Sequence, residues 1–244
     1  MGLSSKVIWH QTNFTALKAI LTEKRIKCAY SCETISINTR TIIKAFPMIS
    51  FCDLPISEMI EYLGKSGKYG KYIIGVKREW AIKNGFCPVW YQSPHSNALK
   101  SLDGTINDIP VDSWEDITEI IKLTWQITSF IKNYQGYLEK YKLKNYRFYD
   151  EREIRFVPTY DELISKNYFP TLSKVGYEKY KESHNNLPLL DKIYLELPHD
   201  AIEYILVSSS NQKRSIRKLL DIKEIPILSY KQIKEDIMGL CHNQ

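Results

Sequence analysis

Short apolar segments of strand length recur along the chain, and they constrain its fold more than any other feature. Helical segments fall between them, and the last part of the chain has a β-α-β-α order. The sequence therefore predicts an α+β (mixed α/β) fold. The predicted strands are Val7–His10, Ile26–Ser31, Pro47–Cys52, Lys71–Val76, Cys87–Tyr91, Glu153–Val157, Leu190–Leu197, Tyr204–Val207 and Ile225–Leu228.

Capping residues and apolar spacing predict the helices. Asn13 is expected to cap a helix that runs through Lys24. The longest helix is predicted over Trp114–Leu138, with Ser113 as its cap. Its buried stripe would consist of Ile117, Ile120, Ile121, Thr124, Ile127 and Ile131. Further predictions are helices at Asp53–Leu63, Arg78–Asn84, Gln212–Leu220 and Lys231–Met238, and a turn-rich loop over Ser93–Pro110.

Nothing in the sequence divides the chain. It has 244 residues, of which 43% are hydrophobic and 25% charged, as is typical of a globular domain. No internal repeat, low-complexity tract or Pro/Gly-rich linker interrupts it. We therefore expect a single domain over residues 1–244.

The charge balance and the aromatic content bear on partners. The formal net charge is +6, which favours an anionic partner such as nucleic acid. Lysines are denser between Lys132 and Lys144, either as a solvated face or as a surface for nucleic acid. The 17 tyrosines can fill a core, or they can stack on bases.

Metal binding and membrane insertion have no support in the sequence. The five cysteines form no CxxC pair and the histidines show no HxxxH spacing, so no metal is expected. The N-terminus has no apolar stretch for a leader or a membrane span. These features predict a cytoplasmic protein with reduced thiols and no membrane partner.

Three passages together resemble the AbiGi family of abortive phage-infection proteins. They are the opening Trp9–Leu21 segment with its H-x-T element, the PMISFCDLP segment from Pro47 to Pro55, and the YDEREIRFVP segment from Tyr149 to Pro158. The likeness continues to the terminal ILVSSS and IPILSYKQI segments. The resemblance implies a role in phage defence, with a toxin or an antitoxin as partner.

The opening is also similar, more distantly, to DarT-like ADP-ribosyltransferases. That likeness implies an ADP-ribosyltransferase-like sheet core with flanking helices, and NAD as substrate. It implies catalysis by Glu153, with Glu151 in reserve. The implied NAD-binding residues are His10, Thr12, Tyr30, Ser31 and Phe51.

The chemistry of ADP-ribosyl transfer suits these residue types. The transition state resembles an oxocarbenium ion, which a nearby carboxylate stabilises. His10 and Thr12 are two residues apart and share one face of a strand. Arg155 would share a face with Glu153 and keep that carboxylate ionised. A surface ladder of ion pairs explains the Glu151–Arg155 alternation equally well.

Two functions therefore stay open. The first is a transferase-like toxin that uses NAD to modify nucleic acid or a component of translation. The second is a non-catalytic, antitoxin-like binding protein of a toxin–antitoxin pair. The early H-x-T element together with a late carboxylate strand favours the first function. The second is supported by the missing counterpart of the arginine that DarT-like proteins carry after their second aromatic strand.

Overall fold

Two compact units make up the chain in a computed structural model. One unit comprises residues 1–26, 50–84 and 195–244, and the other comprises residues 27–49 and 85–194. The structure describes residues 6–37, 40–59, 70–101, 114–138, 142–220, 224–229 and 233, with the backbone alone for 114–117. The single domain over residues 1–244 stays a prediction.

The first unit is a sheet with helices beside it. Its strands are β1 (Val7–Thr12), the end of β3 (Arg40–Cys52), β4 (Tyr72–Lys77), β13 (Ile202–Val207) and β14 (Ile227–Ser229). Strand β1 lies antiparallel between β3 and β4, β13 pairs with β4, and β14 is parallel to β13. The helices are α1 (Phe14–Glu23), α2 (Arg78–Lys83) and α6 (Ser210–Leu219).

Trp9 occupies the centre of the first unit's core. It packs with Leu54, Met59, Ile73 and Leu206. Its indole Nε1 donates to the carbonyl oxygen of Leu54 at 2.7 Å, which satisfies the buried N–H. A Cβ atom on its register partner Gly75 would lie 2.6 Å from the Trp9 ring, so the close approach requires glycine there.

The second unit is built on a long hairpin. Strand β2 (Arg25–Ile37) pairs antiparallel with β3 from Ala29↔Met48 to Ile37↔Arg40. Strand β12 (Leu189–Glu196) adjoins β2. Strands β10 (Glu153–Phe156) and β11 (Leu172–Ser173) pair with β3, and β5 (Cys87–Pro88) pairs with β10.

Two small sheets and further helices also belong to the described part of the second unit. Strand β6 (Trp90–Gln92) is parallel to β7 (Ile131–Asn133). Strand β8 (Gln135–Leu138) forms an antiparallel hairpin with β9 (Leu143–Arg147). The helices are α3 (Trp114–Thr128), α4 (Tyr160–Ser165) and α5 (Lys174–Ser183).

The α+β fold class is confirmed, and most predicted elements appear within a few residues of their expected bounds. Helix α1 is capped by Asn13, whose Oδ1 accepts the N–H of Ala16 at 2.8 Å. The hairpin strands β2 and β3 are much longer than predicted. The prediction of one strand over Cys87–Tyr91 was wrong, because β5 and β6 pair with different partners.

The predicted helix over Trp114–Leu138 was also wrong in its second half. Helix α3 ends at Thr128, and strands β7 and β8 follow. The hydroxyls of Thr128 and Ser129 donate to carbonyl oxygens of the last turn, which ends the helix locally. Ile121 of the predicted buried stripe is 50% exposed, and Trp125 is the buried anchor of the helix.

The remaining differences concern loops and masked segments. Residues 97–101 are helical within the predicted loop, and Ser96 Oγ accepts the N–H of Leu99 at 3.1 Å. Residues 56–59 are helical as predicted. The predictions for residues 60–63, 102–110, 113, 231–232 and 234–238 lie outside the described residues.

Candidate functional site

Among the described residues of the second unit, five buried charged residues form one group. We call it the ion cluster. Every member is at most 9% exposed, and Arg155 is fully buried. It consists of Glu33 on β2, Lys132 on β7, Glu151 at the end of a 3₁₀ turn, and Glu153 and Arg155 on β10.

Glu153 lies at the centre of the ion cluster. Its Oε1 accepts from Arg155 Nε at 2.6 Å. Its Oε2 accepts from Lys132 Nζ at 2.7 Å and from Arg155 Nη2 at 3.0 Å. Both carboxylate oxygens are therefore engaged by cations within the protein.

The two cations bind the outer carboxylates as well. Lys132 Nζ donates to Glu151 Oε2 at 2.8 Å. Arg155 Nη2 donates to Glu33 Oε1 at 2.5 Å, and its Nη1 donates to the carbonyl oxygen of Ser129 at 2.9 Å. A buried charge is tolerated only when it is paired in this way.

The pKa values of Glu153 and Glu33 are shifted in opposite directions. Burial by itself raises the pKa of Glu153, but the charges and hydrogen bonds of Arg155 and Lys132 outweigh burial and hold this pKa well below its usual range. Burial dominates at Glu33, where it raises the pKa despite the same two cations. Of Glu33 and Glu153, Glu33 is thus the group that takes up a proton more readily.

Tyr91 closes the ion cluster on the β6 side. Its hydroxyl oxygen accepts the backbone N–H of Glu153 at 2.8 Å. Burial, followed by the charge of Glu153, raises the pKa of this phenol, so Tyr91 stays neutral near pH 7. Sequence reasoning missed both Tyr91 and Glu33, since neither lies near the matched segment around Glu153.

The predicted NAD-binding residues of the first unit lie on β1 and β3. His10 is half-buried, and its Nδ1 donates to the carbonyl oxygen of Ser50 at 3.0 Å. Burial lowers the pKa of His10 although that hydrogen bond raises it, so the ring is neutral near pH 7. Phe51, 1% exposed, lies 5.2 Å from His10 between ring centroids. Thr12 is 8% exposed at the end of β1.

The other predicted binding residues, Tyr30 and Ser31, belong to the second unit. Tyr30 is 2% exposed, its hydroxyl donates to the carbonyl oxygen of Phe169 at 2.7 Å, and Tyr180 packs edge-on against it. Ser31 is half-buried opposite Phe46. Neither Tyr30 nor Phe51 offers an open ring face on which nicotinamide could stack, and NAD binding stays a prediction.

The structure decides two alternatives that the sequence left open. The Glu151–Arg155 segment is not a surface ladder of ion pairs, because Glu151, Glu153 and Arg155 are buried. Lys132 likewise does not belong to a solvated face, since its ammonium lies inside the ion cluster. The expectation that Arg155 keeps Glu153 ionised agrees with the lowered pKa.

Metal and membrane features can be stated for the described residues only. Among them, no group of three or more His, Cys, Asp or Glu side chains could hold a metal ion. Within the same residues, no helix has the length and apolar character needed to cross a membrane.

Comparison with known proteins relates the chain to one family and to individual proteins. A family model described as "Putative abortive phage resistance protein AbiGi, antitoxin" matches residues 15–208. The abortive phage resistance protein AbiGi of Lactococcus lactis subsp. cremoris is 27% identical over 222 residues, covering 78% of this chain and 88% of that protein. The structure of DarT from Thermus sp. 2.9 in complex with NAD+ aligns at 12% identity and a TM-score of 0.36, covering 92% of this chain and 94% of that one.

Proposed function

Because this chain belongs to the AbiGi family of abortive phage resistance proteins, we propose that it acts in phage defence as a non-catalytic, antitoxin-like protein that binds and restrains a toxin. The observation that carries this proposal is the closure of the ion cluster. The family model describes its members as antitoxins, which agrees with it.

A catalytic carboxylate must reach its substrate. In glycosidic bond cleavage it faces the anomeric carbon, so at least one oxygen has to be open to the ligand. Glu153 uses both oxygens for Lys132 and Arg155, and Glu151 is 3% exposed beside the same lysine. Turning Glu153 towards a ligand would take a buried carboxylate from both Lys132 and Arg155, and turning Glu151 would take one from Lys132. Breaking a buried ion pair costs about 3–5 kcal/mol. This cost supports a structural role for the cluster.

ADP-ribosyl transfer from NAD to nucleic acid or a translation component is the second candidate. One observation favours it. The Nδ1–H of His10 is fixed by Ser50, so a neutral imidazole presents Nε2 as a hydrogen-bond acceptor. Thr12 shares this face of β1. Such a pair suits recognition of a carboxamide, but it does not by itself supply catalysis.

The test separates the two functions in cells. The wild-type chain, His10→Ala and Glu153→Gln are each expressed alone, and growth, cellular NAD and nucleic-acid adducts are followed at matched soluble protein levels. We expect harmless expression, unchanged NAD and no adducts. Growth arrest with adducts that disappear in His10→Ala, which leaves the ion cluster intact, would overturn the proposal.

A second arm tests the restraint itself. Genes from the native neighbourhood of this chain are induced one at a time, with and without co-expression of the chain. We expect one product that arrests growth and is neutralised by the wild type and by His10→Ala alike. If no product that arrests growth is neutralised, the antitoxin-like function is rejected.

A further inference from the structure

Three tyrosines lie exposed around the β8–β9 hairpin of the second unit. Tyr134 is 38%, Tyr137 52% and Tyr149 47% exposed. We call these three residues the tyrosine platform. Exposed aromatic rings that lie close together form a candidate interaction site, because large apolar patches on a surface commonly bind a partner.

The platform is held rigidly. The rings of Tyr134 and Tyr149 stack with centroids 5.3 Å apart and an interplanar angle of 26°, and Tyr91 supports Tyr149 edge-on at 5.4 Å. The N–H of Tyr149 donates to the carbonyl oxygen of Tyr134 at 3.2 Å, and the N–H of Tyr134 donates to that of Gln92 at 2.8 Å. A ligand that stacks here therefore has little ordering cost to overcome.

The register of the β8–β9 hairpin places Arg147 on the same face as Tyr137. Gln135 lies opposite Arg147, and the register shifts between Gly136 and Leu138, where Asn145 of β9 adopts a left-handed conformation (φ 57°). Side chains two residues apart share a face of a strand, so Tyr137 shares a face of the hairpin with Gln135 and its partner Arg147.

Exposed positive charges lie on the β8–β9 hairpin and in the segment that follows it. Lys142, Lys144, Arg147 and Arg152 are exposed, while Asp150 is the exposed acidic residue in the stretch 142–152. Asp150 pairs with Arg147 at 2.6 Å. After this pair is counted, three exposed cations remain for an anionic ligand.

We propose that the tyrosine platform and its flanking cations bind single-stranded nucleic acid. Unpaired bases would stack on the rings, and Lys142, Lys144 and Arg152 would contact phosphates. Aromatic faces combined with a basic track are what sequence-tolerant single-strand binding requires. A duplex keeps its bases stacked internally and cannot use the rings. Protein interfaces favour aromatic residues too, but they are depleted in lysine.

This binding goes beyond the proposed antitoxin-like function and does not depend on it. It needs neither NAD nor a toxin. Its failure in a direct binding assay therefore leaves the growth experiments described above untouched.

Fluorescence anisotropy with the full chain tests the inference. The probes are labelled oligothymidine and oligouridine strands of about 20 nucleotides and a duplex of the same length. We expect both single strands to bind more tightly than the duplex. Tyr134→Ala and Tyr149→Ala should each weaken single-strand binding by roughly five- to a hundredfold, the value of one stacked base, while Tyr134→Phe and Tyr149→Phe keep it.

Charge variants supply a matched control. The double variant Lys142→Gln/Lys144→Gln should reduce the salt-dependence slope by about 1.4, or 0.7 per lost phosphate contact. The double variant Arg214→Gln/Lys218→Gln removes the same charge from exposed positions of α6, and it should leave the slope unchanged. Tyr194→Ala, at a ring that is 38% exposed on β12, serves as the aromatic control.

Three results would each overturn the inference. The first is absence of single-strand binding by the wild type at low salt. The second is a loss of single-strand affinity that is equal for the Ala and Phe variants, or a reduction of the salt-dependence slope that is equal for the two charge variants. Either outcome would mean that binding does not use the tyrosine platform and its flanking cations. The third is unchanged strand binding by platform variants that lose toxin neutralisation, which would assign the platform to a protein partner.

Discussion

Lys132 and Lys144 belong to one lysine-rich stretch of the sequence, yet they lie in opposite environments. Lys132 is 7% exposed, and burial by itself lowers its pKa, but Glu153, Glu33 and Glu151 raise this pKa well above its ordinary value. Lys144 is exposed on the β8–β9 hairpin. The ion cluster is thus closed around its charges, whereas the hairpin presents its charges to solvent.

The comparison teaches that charge pairing follows burial. In the ion cluster every cation has carboxylate partners, because an unpaired charge away from water is prohibitively costly. On the hairpin, water solvates the lysines, so nothing demands a partner and the cations remain available to a ligand. One region is suited to stability and the other to binding.

The largest expected effect is the difference in stability between variants of Lys132 and of Lys144. Lys132→Met should destabilise the protein by about 3–5 kcal/mol, because Glu151 and Glu153 would lose a shared buried cation. Lys144→Met should leave the urea midpoint unchanged. Urea unfolding of both variants checks this, and a Lys132→Met midpoint equal to that of the wild type would show that the ion cluster contributes nothing.

Glu153→Gln should cost about 1.5–3 kcal/mol at neutral pH, since two charge-assisted contacts weaken. The folded-state pKa of Glu153 lies below its ordinary value of 4.5, so its stabilisation is present above pH 4.5 and is lost as the pH falls further. The difference in the free energy of unfolding between the wild type and Glu153→Gln should therefore become smaller in acid. Urea midpoints measured between about pH 3 and 7 report it.

Glu33→Gln provides the control of opposite sign. The pKa of Glu33 is raised in the folded state, so its contribution is fully present below pH 4.5 and is lost as the pH rises through the folded-state value. The wild type should therefore gain stability relative to Glu33→Gln as the pH falls. If the stability difference from the wild type changed with pH in the same direction for Glu33→Gln and Glu153→Gln, the opposite pKa shifts of these two carboxyls would be contradicted.

Tyr91→Phe should cost about 1–2 kcal/mol, because the backbone N–H of Glu153 loses its acceptor in a dry environment. Tyr137→Phe removes a hydroxyl from a ring that is 52% exposed and should have no measurable effect. Thermal unfolding of both variants measures the difference. Equal melting temperatures would mean that water or another group replaces the phenol.

The smallest effect concerns stability at the hairpin. Lys142→Gln/Lys144→Gln should unfold at the same urea concentration as the wild type, although it weakens the proposed strand binding. Its unfolding curve and its binding curve are compared on one sample. A lower unfolding midpoint would mean that Lys142 and Lys144 stabilise the fold, as Lys132 is expected to do.

Local chemistry made much of the fold predictable. The cap at Asn13, the apolar strands at Val7 and Tyr204, and the alternation around Glu153 depend on neighbours within a few residues. The prediction extended helix α3 too far because Ile131 follows Ile127 at a spacing of four residues, which suits a helix, although β-branched residues also suit strands. Only pairing with β6 distinguishes the two outcomes at Ile131.

The sequence by itself determined the α+β class, the AbiGi resemblance and the pairing of Glu153 with Arg155, because each depends on residues close together in the chain. Tertiary structure alone decided that Glu33 joins Arg155 across 122 positions, and that Lys132 is buried while Lys144 is exposed. Burial and long-range pairing arise when distant strands meet. The residues next to Lys132 and Lys144 do not by themselves show which of these two charges will be buried.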